Sequence, residues 1–411
     1  MIRTSKHTLK YANKHKLEQV HRLVDEYRRV VGLIINDLWD SSKETLNVPK
    51  FCDTTYLQGY DSWLSQRMRQ ACSKQAIAML NSAYEKRRKQ LYVLRKLQRT
   101  NSDVRRLQSK IDRQPLVKPN CQNINLELDS RFIDFDKSEA FLFVRILCVG
   151  DKVQIKIPVK EHAVSNKWMN AGQRKLSVRL SKTNVNLMFE IAEQKKSGSQ
   201  VVGADQGIST VLSLSDGQTT FADCHGHTLS SIQKTLSRRR KGSKGFKRTQ
   251  EQRKNFINWS LNQMNFKNIS EVRLEKIRNL GRGVHVPRFL SHWTRTLIKD
   301  KLARLSQEEG FQLREVPNEF RSQRCSNCGW VRKVNRKGKT FKCSLCGFTH
   351  DADLNAASNL ELDLFEVPYW VRQKKMNLKG FYWKPDGLFS ADQKPIVSDD
   401  NKRNDISFEL S

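Results

Sequence analysis

The chain has 411 residues, 37% of them hydrophobic, with 75 Lys plus Arg against 42 Asp plus Glu and a formal net charge of +33. That length gives room for two or three domains with cores of their own. The lack of an apolar run of about eighteen residues, and an amino terminus reading Met1-Ile-Arg-Thr-Ser-Lys-His7, argue against a membrane span or secretory leader and for a cytoplasmic protein of the prokaryotic cytosol or nucleoid. So large a positive excess repels itself unless a polyanion neutralises it, which makes nucleic acid the expected partner; no membrane partner is expected.

After a short extended start over 1–12, Leu17, Val20, Leu23, Tyr27, Val31, Ile34 and Leu38 recur at three and four residues and predict an amphipathic helix over 14–39. A second periodic stretch, 62–107, runs through Trp63, Met68, Cys72, Ile77, Leu80, Tyr84 and Leu91. Its later part carries Arg87, Arg88, Lys89, Arg95, Lys96 and Arg99, a face able to follow phosphates. From 124 onward the pattern turns to alternation and β-branched residues. Phe141-Leu-Phe-Val-Arg-Ile-Leu147, Val153-Gln-Ile-Lys-Ile-Pro158 and a pair over 176–191 read as strands of a small β-barrel or sandwich.

Residues 195–200 read as a linker. Beyond it the expected order is strands at 201–205, 210–215 and 218–222 with a turn at Asp216-Gly217, a long basic helix over 231–258, a strand at 271–275, a helix at 289–308, a strand at 312–316, a cysteine-bearing insertion and a helix at 353–362. Three antiparallel strands followed by alternating helices and strands fit an RNase H-like α/β fold, so the chain as a whole is expected to be α+β and multidomain. The stretch from 373 lacks clear periodicity, and 398–411 is expected to be disordered.

Two pairs, Cys325-x-x-Cys328 and Cys343-x-x-Cys346, each followed by glycine, can close a tetrahedral thiolate site around one Zn²⁺, with Asn335-Arg-Lys-Gly338 supplying the turn between them. Four protein ligands leave no open position, so this zinc is structural and the chemistry lies elsewhere. Cys52, Cys72, Cys121, Cys148 and Cys224 are scattered and odd in number, which predicts reduced, mostly buried thiols.

The candidate chemistry rests on three carboxylates. Asp205 closes the first strand of the second half between Gly203 and Gly207, Glu275 ends a later apolar strand, and Asp353 begins the last helix. Delivered to one rim, they can hold two Mg²⁺ ions, one activating water and the other stabilising the leaving 3′ oxygen of an in-line phosphoryl displacement. Asp351 is the local competitor of Asp353, with helix capping as its alternative role. The basic run Arg238, Arg239, Arg240, Lys241, Lys244, Lys247, Arg248, Arg253 and Lys254 fits a nucleic-acid groove.

On these residues the carboxyl-terminal half resembles TnpB, the transposon-associated RNA-guided endonuclease, and its relatives the compact type V CRISPR effectors. Gly-Ala-Asp205-Gln-Gly-Ile208 stands where the first RuvC-like motif would, Leu-Glu275-Lys-Ile-Arg-Asn-Leu280 the second, and Asp353-Leu-Asn-Ala-Ala357 the third, with Ser322-Gln-Arg-Cys325 leading into the ribbon. The resemblance implies a first wedge strand (1–12), a helical recognition domain (13–113), a β-barrel wedge domain (114–196), a RuvC-like nuclease domain (197–320) with an inserted zinc ribbon (321–350) and final helix (351–365), and a tail (366–411). It also implies a guide RNA, a double-stranded DNA target read beside a short adjacent motif, two catalytic Mg²⁺, one structural Zn²⁺, and one or two copies of the chain per guide. Departures are Ala204 and Gln206 where hydrophobic residues are usual, and Arg321 in place of threonine. The rival readings are a guide-dependent repressor that does not cut, disfavoured by the intact acids, and a guide-free structure-specific nuclease or transposase of the same fold, disfavoured by the large amino-terminal half.

Overall fold

The computed structural model describes residues 1–100, 103–194, 198–207, 209–277 and 294–398. The chain divides into two compact units, Met1–Ala192 and Glu193–Ser411.

In the first unit, strand β1 (Ile2–Thr8) leads into α1 (Lys14–Ser42). Asn13 opens this helix by accepting a hydrogen bond from the Lys16 amide at 2.9 Å, a cap worth about 1 kcal/mol. The stripe Val20, Leu23, Tyr27, Val31 and Ile34 is fully buried, as the periodicity predicts. It packs in one core with α3 (Gln66–Arg99), where the Ser42 and Tyr84 hydroxyls meet at 3.0 Å and the Trp39 and Tyr84 rings lie 5.5 Å apart. The second predicted helix is interrupted: Ser65 caps α3, and a separate α4 (Arg105–Asp112) follows it. Helix α2 (Thr54–Gln58), capped by Asp53, is too short to leave a periodic signal.

The strands of this unit form two sheets. One has the order β1-β7-β6-β2, with β7 (Asn184–Ile191), β6 (Gly172–Leu180) and β2 (Leu126–Leu128). Strand β1 pairs with β7 along its whole length, from Ile2 opposite Glu190 to Thr8 opposite Asn184. The other is an antiparallel meander of β3 (Ile133–Lys137), β4 (Leu142–Ile146) and β5 (Ile155–Val159), in which Leu142, Val144 and Ile146 point into the core. The short helix α5 (Ala163–Ala171) precedes β6.

The second unit is built on a sheet of order β11-β10-β8-β9. Strands β8 (Gln200–Asp205) and β11 (Gln312–Pro317) flank β10 (Ile269–Lys276) in parallel, and β9 (Ser213–Leu214) runs antiparallel to β8. The third strand expected at 218–222 is reduced to a single bridge between Ser213 and Thr219. Around it the Leu214 amide donates to the Gln218 carbonyl at 2.8 Å and the Thr220 amide to the Leu212 carbonyl at 3.1 Å, while the Thr220 hydroxyl accepts from the Val211 amide at 2.9 Å. The long basic helix expected over 231–258 is two helices, α6 (Leu229–Arg238) and α7 (Lys244–Asn262). They are separated by a turn in which Gly242 takes a positive φ of 84°, and Ser243 caps the second. Helix α8 (Arg295–Glu309) ends at Gly310, also left-handed at 82°. The part of the expected helix at 289–293, residues 278–280 of the second motif and residues 399–411 lie outside the described residues.

Helix α9 (Ala352–Glu361) lies directly against β8, and Gly203 is what permits it: a Cβ there would stand 1.9 Å from the Ala357 carbonyl oxygen and 2.5 Å from the Glu361 amide nitrogen. Both obstacles are backbone, so neither can swing aside. Gly203→Ala is therefore expected to destabilise the second unit by roughly 3 kcal/mol or more, read as a drop in its thermal midpoint. An unchanged midpoint would disprove the close packing.

The stretch 363–398 carries regular elements, contrary to its lack of periodicity. Helix α10 (Tyr369–Gln373) and strands β16 (Phe381–Lys384), β17 (Gly387–Phe389) and β18 (Pro395–Ser398) build a sheet onto β12 (Trp330–Val331) of the cysteine-bearing insertion, in the order β12-β16-β17-β18. Val331, Phe365, Val371, Phe381, Trp383 and Leu388 form its core. No helix among the described residues is long and apolar enough to cross a membrane.

Candidate active site and zinc cluster

The four cysteines converge, their sulfurs all within 4.8 Å of one another. Cys325 and Cys346 Sγ lie 3.7 Å apart and Cys328 and Cys343 Sγ 3.6 Å. A tetrahedron with Zn–S bonds near 2.3 Å has edges of about 3.8 Å, so these spacings fit one Zn²⁺ and are far too long for disulfides. Each pair turns back through its glycine: the Gly329 amide donates to the Cys325 carbonyl at 2.9 Å and the Gly347 amide to Cys343 at 3.1 Å, with φ of 80° and 75°. Burial pushes the Cys325 thiol up to about 11, a penalty that thiolate ligation to a cation removes. Of the five other cysteines only Cys72 is buried; Cys148 and Cys224 are exposed, so the expectation of mostly buried thiols is corrected.

The hairpin between the pairs runs through β13 (Arg336–Lys337) and β14 (Thr340–Lys342), and β14 continues to β15 (Thr349–Asp351). Its turn is at Gly338-Lys339. Asn335, expected to be part of that turn, is instead buried, donating to the Gln323 and Trp330 carbonyls at 3.0 and 3.3 Å and accepting from the Ser344 amide at 3.0 Å.

Because β14 pairs with β15, the hairpin delivers its turn to the start of α9. Asp351 caps that helix, accepting from the Asp353 and Leu354 amides at 2.8 and 3.0 Å, which frees Asp353 to face a cavity of about 590 Å³. Asp205 and Glu275 line the same cavity from the ends of the parallel strands β8 and β10, so the structure brings the three sequence-predicted acids together. Asp205 and Asp353 are 9% and 4% exposed. Burial and then the neighbouring Asp353 raise Asp205 to about 7. Burial and then Asp205 raise Glu275 to about 8, against the opposing hydrogen bond from the Gln206 amide.

The acids are not gathered as tightly as the thiols. Asp353 is turned onto two cations of the hairpin, accepting from Arg336 Nη2 at 3.0 Å and from Lys339 Nζ. An all-carboxylate oxygen set with two mutually raised acids suits a hard divalent cation, which relieves the repulsion and desolvation that protons relieve in its absence.

The two raised acids make stability depend on pH. The folded, metal-free protein holds protons on Asp205 and Glu275 that the unfolded chain has already released above its ordinary carboxylate range, so stability falls as pH rises from about 5 to 8. Thermal midpoints of zinc-loaded, magnesium-free protein should therefore drop across that window, and Asp205→Asn should flatten the slope. A midpoint that climbs through the window in wild type would contradict the placement of these acids.

Several residues that build the site left little trace in the sequence. Arg336 reads only as turn composition, and Lys339, just past Gly338, carries no signal of its own. Arg321, 5% exposed, donates to the Pro317 carbonyl at 2.8 Å, to Leu362 at 3.1 Å and to Asn359, holding the end of α9; burial lowers it to about 10. That role accounts for arginine at this position. Asn359 Nδ2 donates to the Arg324 carbonyl at 2.7 Å, and Asn355 Nδ2 donates to it at 2.9 Å, so α9 is stitched to the strand entering the ribbon. Two asparagines four apart in an Ala- and Leu-rich helix were the available signal. In the basic run, Arg238, Arg239, Arg240, Lys241, Lys244, Lys247 and Arg248 are exposed at the α6–α7 turn and the first turns of α7. Arg253 is not on that face. It is buried, and its guanidinium is lowered by desolvation.

Residues 296–360 match the family model for the Cas12f1-like TNB domain. Over 90 residues the chain is 37% identical to the CRISPR-associated endodeoxyribonuclease Cas12f1 of Sulfoacidibacillus thermotolerans, covering 22% of this chain and 20% of that protein. Over 95 residues it is 34% identical to a TnpB-like protein of Aquifex aeolicus, covering 21% and 31%. InsQ of Escherichia coli (strain K12), whose name carries a provisional assignment as an RNA-guided DNA endonuclease, is 25% identical over 206 residues, covering 42% and 50%. The matched stretches thus span a fifth to a half of these curated relatives. Among solved structures, the Cas12f1 chain of a Cas12f1–sgRNA–target DNA complex aligns with 84% of this chain and 81% of its own, at 15% identity and a TM-score of 0.47. The segment that holds the four cysteines is the part of the chain that matches the Cas12f1-like TNB domain, and the aligned stretches are similar to Cas12f1 and to a TnpB-like protein.

Proposed function

We propose that the protein is an RNA-guided DNA endonuclease that binds a guide RNA, recognises a short motif beside its double-stranded target, and hydrolyses phosphodiester bonds in one RuvC-like site. The observation that carries this reading is the convergence of Asp205, Glu275 and Asp353 on one cavity at the ends of parallel strands, beneath a four-cysteine hairpin. The names of the matched relatives, an endodeoxyribonuclease among them, support it.

Asp205, Glu275 and Asp353 would hold two Mg²⁺, whose chemistry when bound is activation of water and stabilisation of the leaving 3′ oxygen. The chain's own part is to gather the carboxylates and to exclude bulk water by burial. Cys325, Cys328, Cys343 and Cys346 would hold a structural Zn²⁺ that fixes the Arg336–Lys339 hairpin over the site. The exposed residues Arg238, Arg239, Arg240, Lys241, Lys244, Lys247 and Arg248 form a surface suited to phosphate backbone, where an A-form duplex is held without reading its sequence. We assign residues 1–12 and 114–196 to a wedge domain and 13–113 to a helical recognition domain, together gripping the guide and reading the target-adjacent motif. One or two chains per guide are compatible with this reading.

The test is to purify the protein from cells expressing its native locus and sequence the RNA that accompanies it. A single abundant species with a constant folded scaffold and a variable end is expected. Heterogeneous RNA with no shared scaffold, despite transcription of the locus, would replace this reading with a guide-free nuclease.

A further inference from the structure

Asp353 has both carboxylate oxygens occupied by cations of the zinc-bearing hairpin: Arg336 on Oδ1 and Lys339 on Oδ2. The two cations differ in what holds them. Arg336 is more enclosed, with 29% of its side chain exposed, whereas Lys339 is 52% exposed and has one further partner, the Thr210 hydroxyl, which its ammonium reaches at 3.1 Å. The backbone beneath Lys339 is fixed, since its carbonyl accepts from the Ala352 amide at 2.9 Å, one residue before Asp353. The hairpin therefore aims this ammonium at the carboxylate while leaving a flexible, solvated stem by which it can swing away.

The charge balance of a filled site gives that freedom a role. Three carboxylates and one phosphodiester balance two divalent cations, and Arg336 on Oδ1 already adds a positive group to that count. A lysine left on Asp353 would then be a surplus charge beside the cations, in a site buried enough for Coulomb energies to be several times those in water. We propose that Lys339 is a resident counter-ion of Asp353, held there by the zinc-bearing hairpin, and that a divalent cation enters the site only by displacing it. Lys339 is thus a positioning residue: it keeps Asp353 ordered in the metal-free protein and sets the concentration of divalent cation at which the site fills. This rests on the reading of Asp205, Glu275 and Asp353 as a metal site.

The experiment is Mn²⁺ binding to the zinc-loaded, nucleic-acid-free full chain, followed by loss of the free-ion paramagnetic resonance signal, in wild type and in Lys339→Met, Lys339→Gln, Lys339→Arg and Asp353→Ala. Both neutral variants should bind Mn²⁺ about tenfold more tightly, and Lys339→Arg should stay near wild type. In magnesium-free buffer their thermal midpoints should fall while the Mn²⁺-induced rise grows, a pairing that a merely structural lysine would not produce. If Asp353→Ala weakens Mn²⁺ binding but the neutral variants bind no more tightly than wild type, the counter-ion role is wrong and the metal site stands. If Asp353→Ala binds Mn²⁺ as wild type does, the metal site itself is wrong and this inference falls with it.

Discussion

Replacing Asp205 by alanine is expected to lower target cleavage on the order of a thousandfold, about 4 kcal/mol of barrier, while leaving guide and target binding within a few-fold of wild type. Asp205 closes β8 with 9% exposure and faces the cavity shared with Glu275 and Asp353, so its carboxylate has no part in the exposed basic surface at 238–248. The two effects should therefore separate cleanly in a cleavage assay run beside an electrophoretic shift assay. A second signature sharpens the test. Asp205 is an acid raised by burial and by a neighbouring carboxylate, so its removal relieves repulsion, and metal-free Asp205→Ala should be at least as stable as wild type at pH 8. Metal-dependent cleavage that persists in this variant would remove Asp205 from the site.

Loss of the zinc cluster should be the other large effect. With Cys343→Ser, bound zinc should fall from one per chain to below detection by elemental analysis, and cleavage should drop at least about a hundredfold. Structural zinc in small domains contributes on the order of 10 kcal/mol of apparent binding energy, and here the cluster anchors the hairpin carrying Arg336 and Lys339. The damage should extend beyond the hairpin, since Asn355 and Asn359 tie α9, and with it Asp353, to the Arg324 carbonyl next to Cys325. The first unit has a core of its own, so its unfolding transition should persist in calorimetry. Full cleavage by a zinc-free variant would refute this coupling.

The parts of the fold that could be read in advance are those with a repeating physical cause. The α1 stripe and the alternating β4 strand repeat over enough residues to fix both element and buried face. The three acids were legible because each sits at the end of an element that hydrophobic patterning located. What was missed lacks periodicity or depends on partners remote in sequence. The α6–α7 break rests on one left-handed glycine inside a run of charges that is equally compatible with continuous helix. The strand expected at 218–222 keeps only a short pairing, the Leu214 amide on the Gln218 carbonyl and the Thr220 amide on the Leu212 carbonyl, too brief to leave a pattern. The tail strands are three or four residues long and are buried by Phe365 and Val371 and by Val331 of β12, some fifty residues away in the chain. Gly203 stands in the sequence only as a flank of Asp205, while its neighbour in the fold is the backbone of α9, a contact that no local pattern encodes.

The sheet joining β12 to β16 bears on how far the zinc hairpin can be treated as a module. Its hydrophobic interior is assembled from segments that are not contiguous: Val331 from the hairpin, Phe365 and Val371 from the stretch after α9, and Phe381, Trp383 and Leu388 from the closing strands. Arg324 reinforces this by donating to the Trp383 carbonyl at 2.9 Å. A graft limited to the residues around the four cysteines would leave that interior without one wall and β12 without its partner. The smallest stretch that keeps this interior whole is the span from Arg321 to Ser398, which takes α9 and Asp353 with it and parts them from Asp205 and Glu275 on β8 and β10.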